Sequence, residues 1–227
     1  MHSKNYRDYV IKDGKFIGQF EEMYQNSEEV PWHQDKTAFT LFTEIDLAII
    51  RHYYNKYKFK KACEIGCGYG YITNRLKCEI FDSTVEVSGF DIAQTAIEQA
   101  RRNFNEIEFT RVDMINDNLS NYSEKFDFLY IKDVLWYVVD NIDIFLYNIK
   151  TILNNNGYVY IMNAIPDLKH FYGQDKFPDA FAIIEYFSQH FSVEYANSTY
   201  EIDANRVEGA YSKDKYVRLL LKKELKV

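Results

Sequence analysis

The sequence predicts an α/β fold in which a mainly parallel sheet carries helices on both faces. Three observations lead to this prediction. Short apolar runs typical of buried strands alternate with amphipathic helical patterns, a glycine-rich turn follows the first of these runs, and polar residues stand where several runs end. Alternating strands and helices are typical of βαβ units. With 227 residues, the chain suits one domain with a full core.

The individual elements follow from periodicity. Apolar residues recur at three- and four-residue steps from Asp35, which predicts a helix to about Tyr57. Buried strands are predicted near 62–65, 85–90, 107–112, 126–131 and 155–161, and further helices over 93–105, 142–153 and 179–190. The residues from Asn154 to Gly157 predict the end of the helix before them. The strand-like runs 191–202 and 216–225 are close in the chain, which favours antiparallel pairing.

The glycine turn lies between Glu64 and Gly70, with glycine at every second position from Gly66. Glycines let the backbone approach a ligand without a Cβ atom in the way. The next residues, 71–77, are predicted to begin a helix whose free N–H groups face the bound molecule. A dinucleotide motif has glycine at its sixth position, where this chain has Tyr71. The spacing favours an adenosine ligand without phosphate and argues against a nicotinamide dehydrogenase.

Polar residues follow the next three predicted strands. Asp91 is placed to accept both hydrogens of a ribose diol, although it could instead cap the helix that begins near Ala93. Asp113 and Met114 suit an adenine amino group and an adenine face, although they could also be a turn residue and a core residue. Asp133 follows the fourth strand. Open α/β sheets bind ligands at this edge.

Together these motifs resemble the class I S-adenosylmethionine-dependent methyltransferases. The matching stretches cover roughly residues 60 to 165 in the family's order: EIGCGYG (64–70), GFDIA (89–93), VDM (112–114), FDFLYIKDVLWYV (126–138) and NNGYVYI (155–161). The resemblance implies a Rossmann-like, seven-stranded, mostly parallel sheet with one antiparallel C-terminal strand, and S-adenosyl-L-methionine as the cofactor. The expected cofactor-binding residues are Trp32, Glu64, Gly66, Cys67, Gly68, Gly70, Asp91, Ile92, Asp113 and Met114.

The N-terminal part is expected to serve the acceptor. Residues 1–35 are interpreted as a lid or substrate segment, and residues 36–227 as the methyltransferase domain. Pro31-Trp32-His33 looks like segments that precede the core in small-molecule methyltransferases from nodulation-factor and surface-polysaccharide clusters. The short, single-domain build favours methylation of an oxygen or nitrogen in a small polar acceptor, and this second resemblance implies a carbohydrate or surface-polysaccharide precursor. Trp32 is expected either to cover the ligand or to anchor packing.

Three residues are candidates for a catalytic base, because a hydroxyl or amine acceptor needs its proton removed. Asp133 stands at the end of the fourth strand, His33 lies beside Trp32, and His170 follows the fifth strand in a loop expected to border the active site. The alternatives are a structural hydrogen bond for Asp133 and ordinary surface positions for the two histidines.

Composition excludes several classes of protein. The net charge of −7 and a sequence pI near 5.3 disfavour a nucleic-acid partner. Three cysteines without a paired Cys-x-x-Cys pattern predict no metal site. No apolar run reaches the roughly 20 residues that span a bilayer, and no secretory signal is recognisable, so a cytoplasmic location without membrane contact is expected.

The remaining alternatives concern the partner and the activity. The expected partner is a small-molecule acceptor, and the chain is expected to be a monomer or a homodimer. Two other functions stay open from the sequence: methylation of a protein or tRNA group, and non-catalytic binding of S-adenosylmethionine.

Overall fold

A seven-stranded sheet forms the centre of the protein. The computed structural model describes residues 2–12, 15–166, 168–200 and 215–224. The strands within these residues are β1 (Ile11–Lys12), β2 (Lys15–Phe16), β3 (Lys61–Ile65), β4 (Glu86–Asp91), β5 (Glu108–Arg111), β6 (Phe126–Lys132), β7 (Leu153–Ile165), β8 (Ser192–Tyr200) and β9 (Lys215–Lys222). The first two form a small antiparallel hairpin, and the other seven form the sheet.

The order of strands across the sheet is β5–β4–β3–β6–β7–β9–β8. From β5 to β7 every neighbouring pair is parallel. β9 runs antiparallel to both β7 and β8, so it is the reversed strand of the sheet. The predicted fold class, with one antiparallel strand at the C-terminal end, is therefore confirmed.

Helices cover both faces of the sheet. The described helices are α1 (Phe20–Asn26), α2 (Gln34–Thr37), α3 (Leu41–Tyr57), α4 (Tyr71–Arg75), α5 (Gln94–Asn103), α6 (Leu135–Val138), α7 (Ile142–Ile152) and α8 (Ala180–Ser188). A short π-helix, Leu76–Ile80, follows α4. Alternate strand residues point to opposite faces. Leu129 therefore packs with the core of α7 and α8, whereas its neighbours Phe128 and Tyr130 pack with α3 and the π-helix.

The expected helix from Asp35 to Tyr57 is interrupted. α2 ends at Thr37 and α3 begins at Leu41, with Thr40 in extended backbone geometry between them. The hydroxyl groups of Thr40 and Thr43 both donate to the carbonyl oxygen of Thr37, at 3.1 and 2.8 Å. Such side-chain bonds to the backbone compete with continuous helix, which explains the break.

The polar run from Asn154 to Gly157 lies just beyond the end of α7, as the sequence predicted, and it is already part of β7. α7 passes directly into β7 at Leu153. Leu153 pairs with Phe126 and Tyr158 pairs with Phe128, so the four residues between them bulge out of the ladder. Asn156 has a φ of +62°, a conformation that asparagine tolerates better than most residues.

The N-terminal segment, defined as residues 2–12 and 15–35, packs across the edge of this domain. Its helix α1 buries Met23 and Tyr24 against Ala93 and Ala96 at the start of α5. Glu21 accepts hydrogen bonds from the backbone N–H and the hydroxyl of Thr95, at 3.1 and 2.5 Å. The segment is therefore fixed to the element that follows β4. In the part of the chain that the structure describes, no helix has the length and apolar character to cross a membrane.

Candidate active site

A cavity of about 660 Å³ lies at the carboxyl ends of the parallel strands, beneath the N-terminal segment. Its walls come from the ends of β3 to β7, the start of β9, and the N-terminal segment. The lining is mostly aromatic and aliphatic, with a few polar groups, as is usual for small-molecule sites of this size. The location agrees with the rule for ligand sites in open α/β sheets.

The glycine loop after β3 forms a cradle that other residues could not form. Gly66 and Gly68 have φ values of +79° and +51°, which side chains rarely adopt. A Cβ atom on Gly66 would lie 2.7 Å from Cγ2 of Val134, and one on Gly68 would lie 2.3 Å from Oε1 of Gln34. Gly66 lines the cavity, whereas Gly68 and Gly70 shape the loop behind it.

Gln34 ties the N-terminal segment to this loop. Its Oε1 accepts a hydrogen bond from the backbone N–H of Tyr69 at 2.9 Å, and its Nε2 donates to the hydroxyl of Tyr24 at 2.9 Å. Gln34 also lines the cavity. Sequence reasoning missed it, because a glutamine that contacts a distant backbone N–H gives no periodic signal.

Asp91 lies at the end of β4 with its carboxylate buried against the glycine loop. Its Oδ2 accepts from the backbone N–H of Gly68 at 2.8 Å, and its Oδ1 accepts from that of Ala93 at 2.9 Å. Burial raises the pKa of Asp91 above its ordinary value. Each carboxylate oxygen can accept more than one bond, so these contacts leave capacity for a ligand. The neighbouring Ile92 and the buried Cys67 also line the cavity.

Asp113 and Met114 follow β5 and line the cavity. Asp113 accepts hydrogen bonds from the backbone N–H groups of Ile115 and Asn116 and from the Asn116 side chain, at 2.8 to 3.1 Å. Burial opposes ionisation of Asp113, but the bonds from Asn116 and Ile115 outweigh it and lower the pKa. Met114 is a buried member of the main core cluster. Asp113 therefore is a turn residue and Met114 a core residue, the alternatives considered from the sequence, and both also line the cavity.

Glu64 and Lys132 bring an acidic and a basic group to the cavity wall. Burial raises the pKa of Glu64 to about 8, and its Oε2 accepts a hydrogen bond from the hydroxyl of Thr73. The Lys132 ammonium donates to Oγ1 of Thr43 at 2.9 Å and lies 3.9 Å from Oδ2 of Asp46. The sequence analysis did not select Lys132 as a binding residue, although it directly precedes Asp133.

Asp133 reaches the cavity from a strained backbone position. Its φ is +53°, which is unusual for a residue other than glycine. The backbone N–H of Asp133 donates to the carbonyl oxygen of Met162 at 2.9 Å, and Oδ1 accepts from the N–H of Ala164 at 2.7 Å. β7 therefore holds the aspartate in place, and strained residues held in this way occur often at functional sites.

Neither histidine candidate lies in the cavity wall. The His33 ring packs 6.2 Å from the Tyr6 ring, and its Nε2 is 3.9 Å from Oε2 of Glu29. His170 is exposed after the end of β7. Neither residue is among those that line the cavity, so Asp133 alone of the three base candidates does so.

An aromatic wall, defined as Phe16, Phe20, Trp32 and Tyr137, closes one side of the cavity. Tyr137 is central to it, with ring centroids 5.2 Å from Phe20, 5.9 Å from Trp32 and 6.1 Å from Phe16. Phe16 and Phe20 were missed in the sequence analysis, since the short hairpin and α1 carry no clear apolar period. Trp32, which was selected, has a φ of +52°.

The fold and this cavity are typical of α/β proteins that bind nucleotide-like ligands at the carboxyl ends of their strands. Comparison with known proteins identifies the family. A family model described as "Methyltransferase domain" matches residues 57–220, more than half of the chain. The chain belongs to this family of S-adenosylmethionine-dependent methyltransferases. No curated protein sequence matches it.

Several solved structures share the fold. The N-methyltransferase NodS from Bradyrhizobium japonicum, in complex with S-adenosyl-L-homocysteine, is 16% identical, with a TM-score of 0.65 over 90% of this chain and 97% of that one. A SAM-dependent methyltransferase from Methanosarcina mazei is 14% identical, with a TM-score of 0.57 over 73% and 93%. The [4+2]-cyclase SpnF is 14% identical, with a TM-score of 0.60 over 79% and 82%.

The cofactor of the family is S-adenosylmethionine. The cavity suits such a molecule, because its volume of about 660 Å³ and its largely apolar lining are typical of a small-molecule site, and the glycine loop borders it at Gly66. Asp91 and Asp113 line it at the ends of neighbouring strands, where carboxylates can accept hydrogen bonds from hydroxyl and amino groups.

Proposed function

We propose that this protein transfers the methyl group of S-adenosylmethionine to a nitrogen, in preference to an oxygen, of a small polar acceptor. The observation that carries the proposal is the position of Asp133. Asp133 lines the same cavity as the glycine cradle and the aromatic wall, whereas the two histidines lie outside the lining. A site with a carboxylate and without a histidine suits an amine, because a carboxylate attracts an ammonium group by charge.

The cofactor-binding residues are assigned as follows. The backbone at Gly66 and Cys67 gives room for close approach, Asp91 accepts hydrogen bonds from the ribose hydroxyls, and Asp113 accepts from the adenine amino group. Ile92 and Met114 offer apolar contacts to the adenine ring. The support for this assignment is that these residues line the cavity from three adjacent strand ends.

The chemistry requires mainly alignment. The bound cofactor supplies an activated methyl group with a neutral leaving group, so much of the acceleration can come from holding the acceptor in line. Asp133 orients the acceptor amine and accepts its proton, a role that general bases typically fulfil with a 10²–10⁴-fold effect. Its fixed backbone, bonded to Met162 and Ala164, limits the orientational freedom of the carboxylate.

The acceptor is proposed to be a small ring-bearing molecule, and an amino-substituted carbohydrate precursor is the class to test first. The aromatic wall offers flat apolar surfaces on which the CH face of a sugar or another ring can lie. The likeness to NodS, which is described as an N-methyltransferase, agrees with a nitrogen acceptor. The net charge of −7 gives no support for a nucleic-acid acceptor.

Mass spectrometry with methyl-labelled cofactor tests this proposal. The protein is incubated separately with amino sugars, other small amines, sugar nucleotides without amines, and protein and tRNA fractions. A labelled methyl group on an amine is the expected result. Label only on hydroxyl groups would contradict nitrogen specificity, and label only on protein or tRNA would overturn the small-molecule acceptor.

Binding without transfer is the second candidate function. This alternative is supported by the likeness of the fold to SpnF, which is described as a [4+2]-cyclase and not as a methyltransferase. In that case calorimetry would detect S-adenosylhomocysteine binding, while no amine or alcohol in the panel would gain a methyl group.

A further inference from the structure

Acidic side chains outnumber basic ones among the described residues that line the cavity. Among the described residues that line it, Glu64, Asp91, Asp113 and Asp133 carry carboxyl groups, and Lys132 is the only one with a cationic side chain. The amino-acid end of S-adenosylmethionine carries a carboxylate as well as an ammonium group. A carboxylate moved into a mostly apolar cavity requires a cationic or hydrogen-bonding partner.

Lys132 and Glu64 lie on the same face of the sheet. Glu64 pairs with Tyr130 in the ladder between β3 and β6, and Lys132 is two residues further along β6. Because alternate residues share a face, the side chains of Glu64 and Lys132 both point towards α3. Lys132 is also among the charges that lower the pKa of Glu64 against the larger effect of burial. The wall therefore presents an acidic and a basic group side by side.

The other contacts of Lys132 leave it able to bind an anion. Its hydrogen bond goes to the neutral hydroxyl of Thr43, and an ammonium group has three donors. Oδ2 of Asp46 forms an ion pair with the ammonium group at 3.9 Å but no hydrogen bond, because Asp46 accepts from Nε of Arg218 through its other oxygen, Oδ1, at 2.7 Å. The Lys132 side chain is only 17% exposed, so its attraction for an anion is less screened than at an open surface.

We propose that Lys132 binds the carboxylate of the cofactor's amino-acid end, while Glu64 beside it faces the ammonium group. Lys132 is then a positioning residue for the cofactor. Its removal weakens only ligands that carry the carboxylate, because the adenosine half depends on Asp91, Asp113 and Met114 at the ends of other strands.

Calorimetry with three ligands tests this assignment. S-adenosylhomocysteine carries both charged groups, its decarboxylated analogue keeps only the amine, and 5′-methylthioadenosine has neither. Lys132→Met is compared with the wild type and with Lys61→Met, a control at the start of β3 whose ammonium pairs with the exposed Glu86 at 3.2 Å. Thermal unfolding verifies that each variant is folded.

The proposal expects Lys132→Met to weaken S-adenosylhomocysteine by at least about tenfold, or about 1.4 kcal/mol. The two ligands without a carboxylate should change by less than about twofold, Lys61→Met should match the wild type for all three, and Lys132→Arg should recover part of the loss. An equal loss for all three ligands would make Lys132 a structural residue of the site. No loss for any of them would show that Lys132 does not contact the carboxylate. Either result overturns the proposal.

Discussion

Asp91 has two tasks at the scale of single residues. Its carboxylate holds the glycine loop through Gly68 and the start of α5 through Ala93, and it lines the cavity as well. The helix-cap alternative considered from the sequence is thus compatible with ligand binding. The two roles are separable by measurement, because one affects stability and the other affects affinity.

Replacing Asp91 by alanine should weaken S-adenosylhomocysteine by at least about tenfold, because charge-assisted hydrogen bonds contribute about 1.5–3 kcal/mol each. The variant should remain folded with a lower melting temperature, since two backbone N–H groups lose their acceptor. Calorimetry and thermal unfolding measure the two effects, with Glu98→Ala on the exposed side of α5 as the control. Unchanged affinity in the folded Asp91→Ala protein would restrict this residue to the structural role.

Glu64 gives a prediction about pH. Burial raises its pKa from 4.5 in the unfolded chain to about 8 in the folded protein. Between these values the folded state holds a proton that the unfolded chain has released, so the stability of the ligand-free protein falls as pH rises through this window. Glu64→Gln lacks this titration. Its melting temperature relative to the wild type should therefore rise from pH 5 to pH 8 and then level off, and a difference independent of pH would contradict the raised pKa.

At the scale of elements, Gln34 connects the N-terminal segment with the glycine loop. Gln34→Ala removes two hydrogen bonds, worth about 0.5–1.5 kcal/mol each, and leaves the N–H of Tyr69 without this acceptor. Hydrogen exchange across the N-terminal segment should become faster by at least several-fold. Gln25→Ala is the matched control, because among the described residues its side chain bonds the Glu21 side chain within α1. Equal exchange in the two variants would show that the segment is held by other contacts.

Local patterns predicted the strands and the glycine turn well. Buried parallel strands read as short apolar runs, and a left-handed backbone at Gly66 and Gly68 requires glycine, so both features are visible in the sequence. The break between α2 and α3 could not be predicted from the sequence, because it depends on the hydrogen bonds that the hydroxyls of Thr40 and Thr43 donate to the carbonyl oxygen of Thr37. The Asn154–Gly157 bulge depends on the register with β6.

The residues of the candidate site also differ in whether local sequence predicts them. Asp91, Asp113 and Asp133 were selected from the sequence because they lie at or just after strand ends, which meet at one edge of the sheet, and all three line the cavity. Phe16 and Gln34 reach the cavity through tertiary packing of a segment without periodicity, which local sequence cannot specify. His33 was selected because it stands beside Trp32, and His170 because its loop was expected to border the active site, but the structure puts both outside the cavity lining.

At the scale of the whole molecule, the N-terminal segment is expected to be separable from the domain. Of the residues that the structure describes, none before Leu47 belongs to the two large core clusters on either face of the sheet, whereas the segment forms a smaller cluster with Ala93 and Ala96. A chain that begins at Lys36 should therefore fold cooperatively with a lower melting temperature, and its affinity for S-adenosylhomocysteine should fall at least about tenfold.

Circular dichroism and calorimetry distinguish the outcomes for this shortened chain. Loss of cooperative folding would show that residues 1–35 belong to the domain core, against the expected boundary. Full cofactor affinity in the shortened chain would show that the segment does not cover the cofactor.

The central claim is that methyl transfer takes place at Asp133. Asp133→Asn keeps an oxygen for the N–H of Ala164 while removing the charge, so the backbone should stay in place. With the amine identified by the label experiment, the account expects single-turnover transfer to slow by at least about a hundredfold at unchanged S-adenosylhomocysteine affinity. His33→Ala and His170→Ala should transfer within a few-fold of the wild type. Transfer by Asp133→Asn within a few-fold of the wild type would contradict the account.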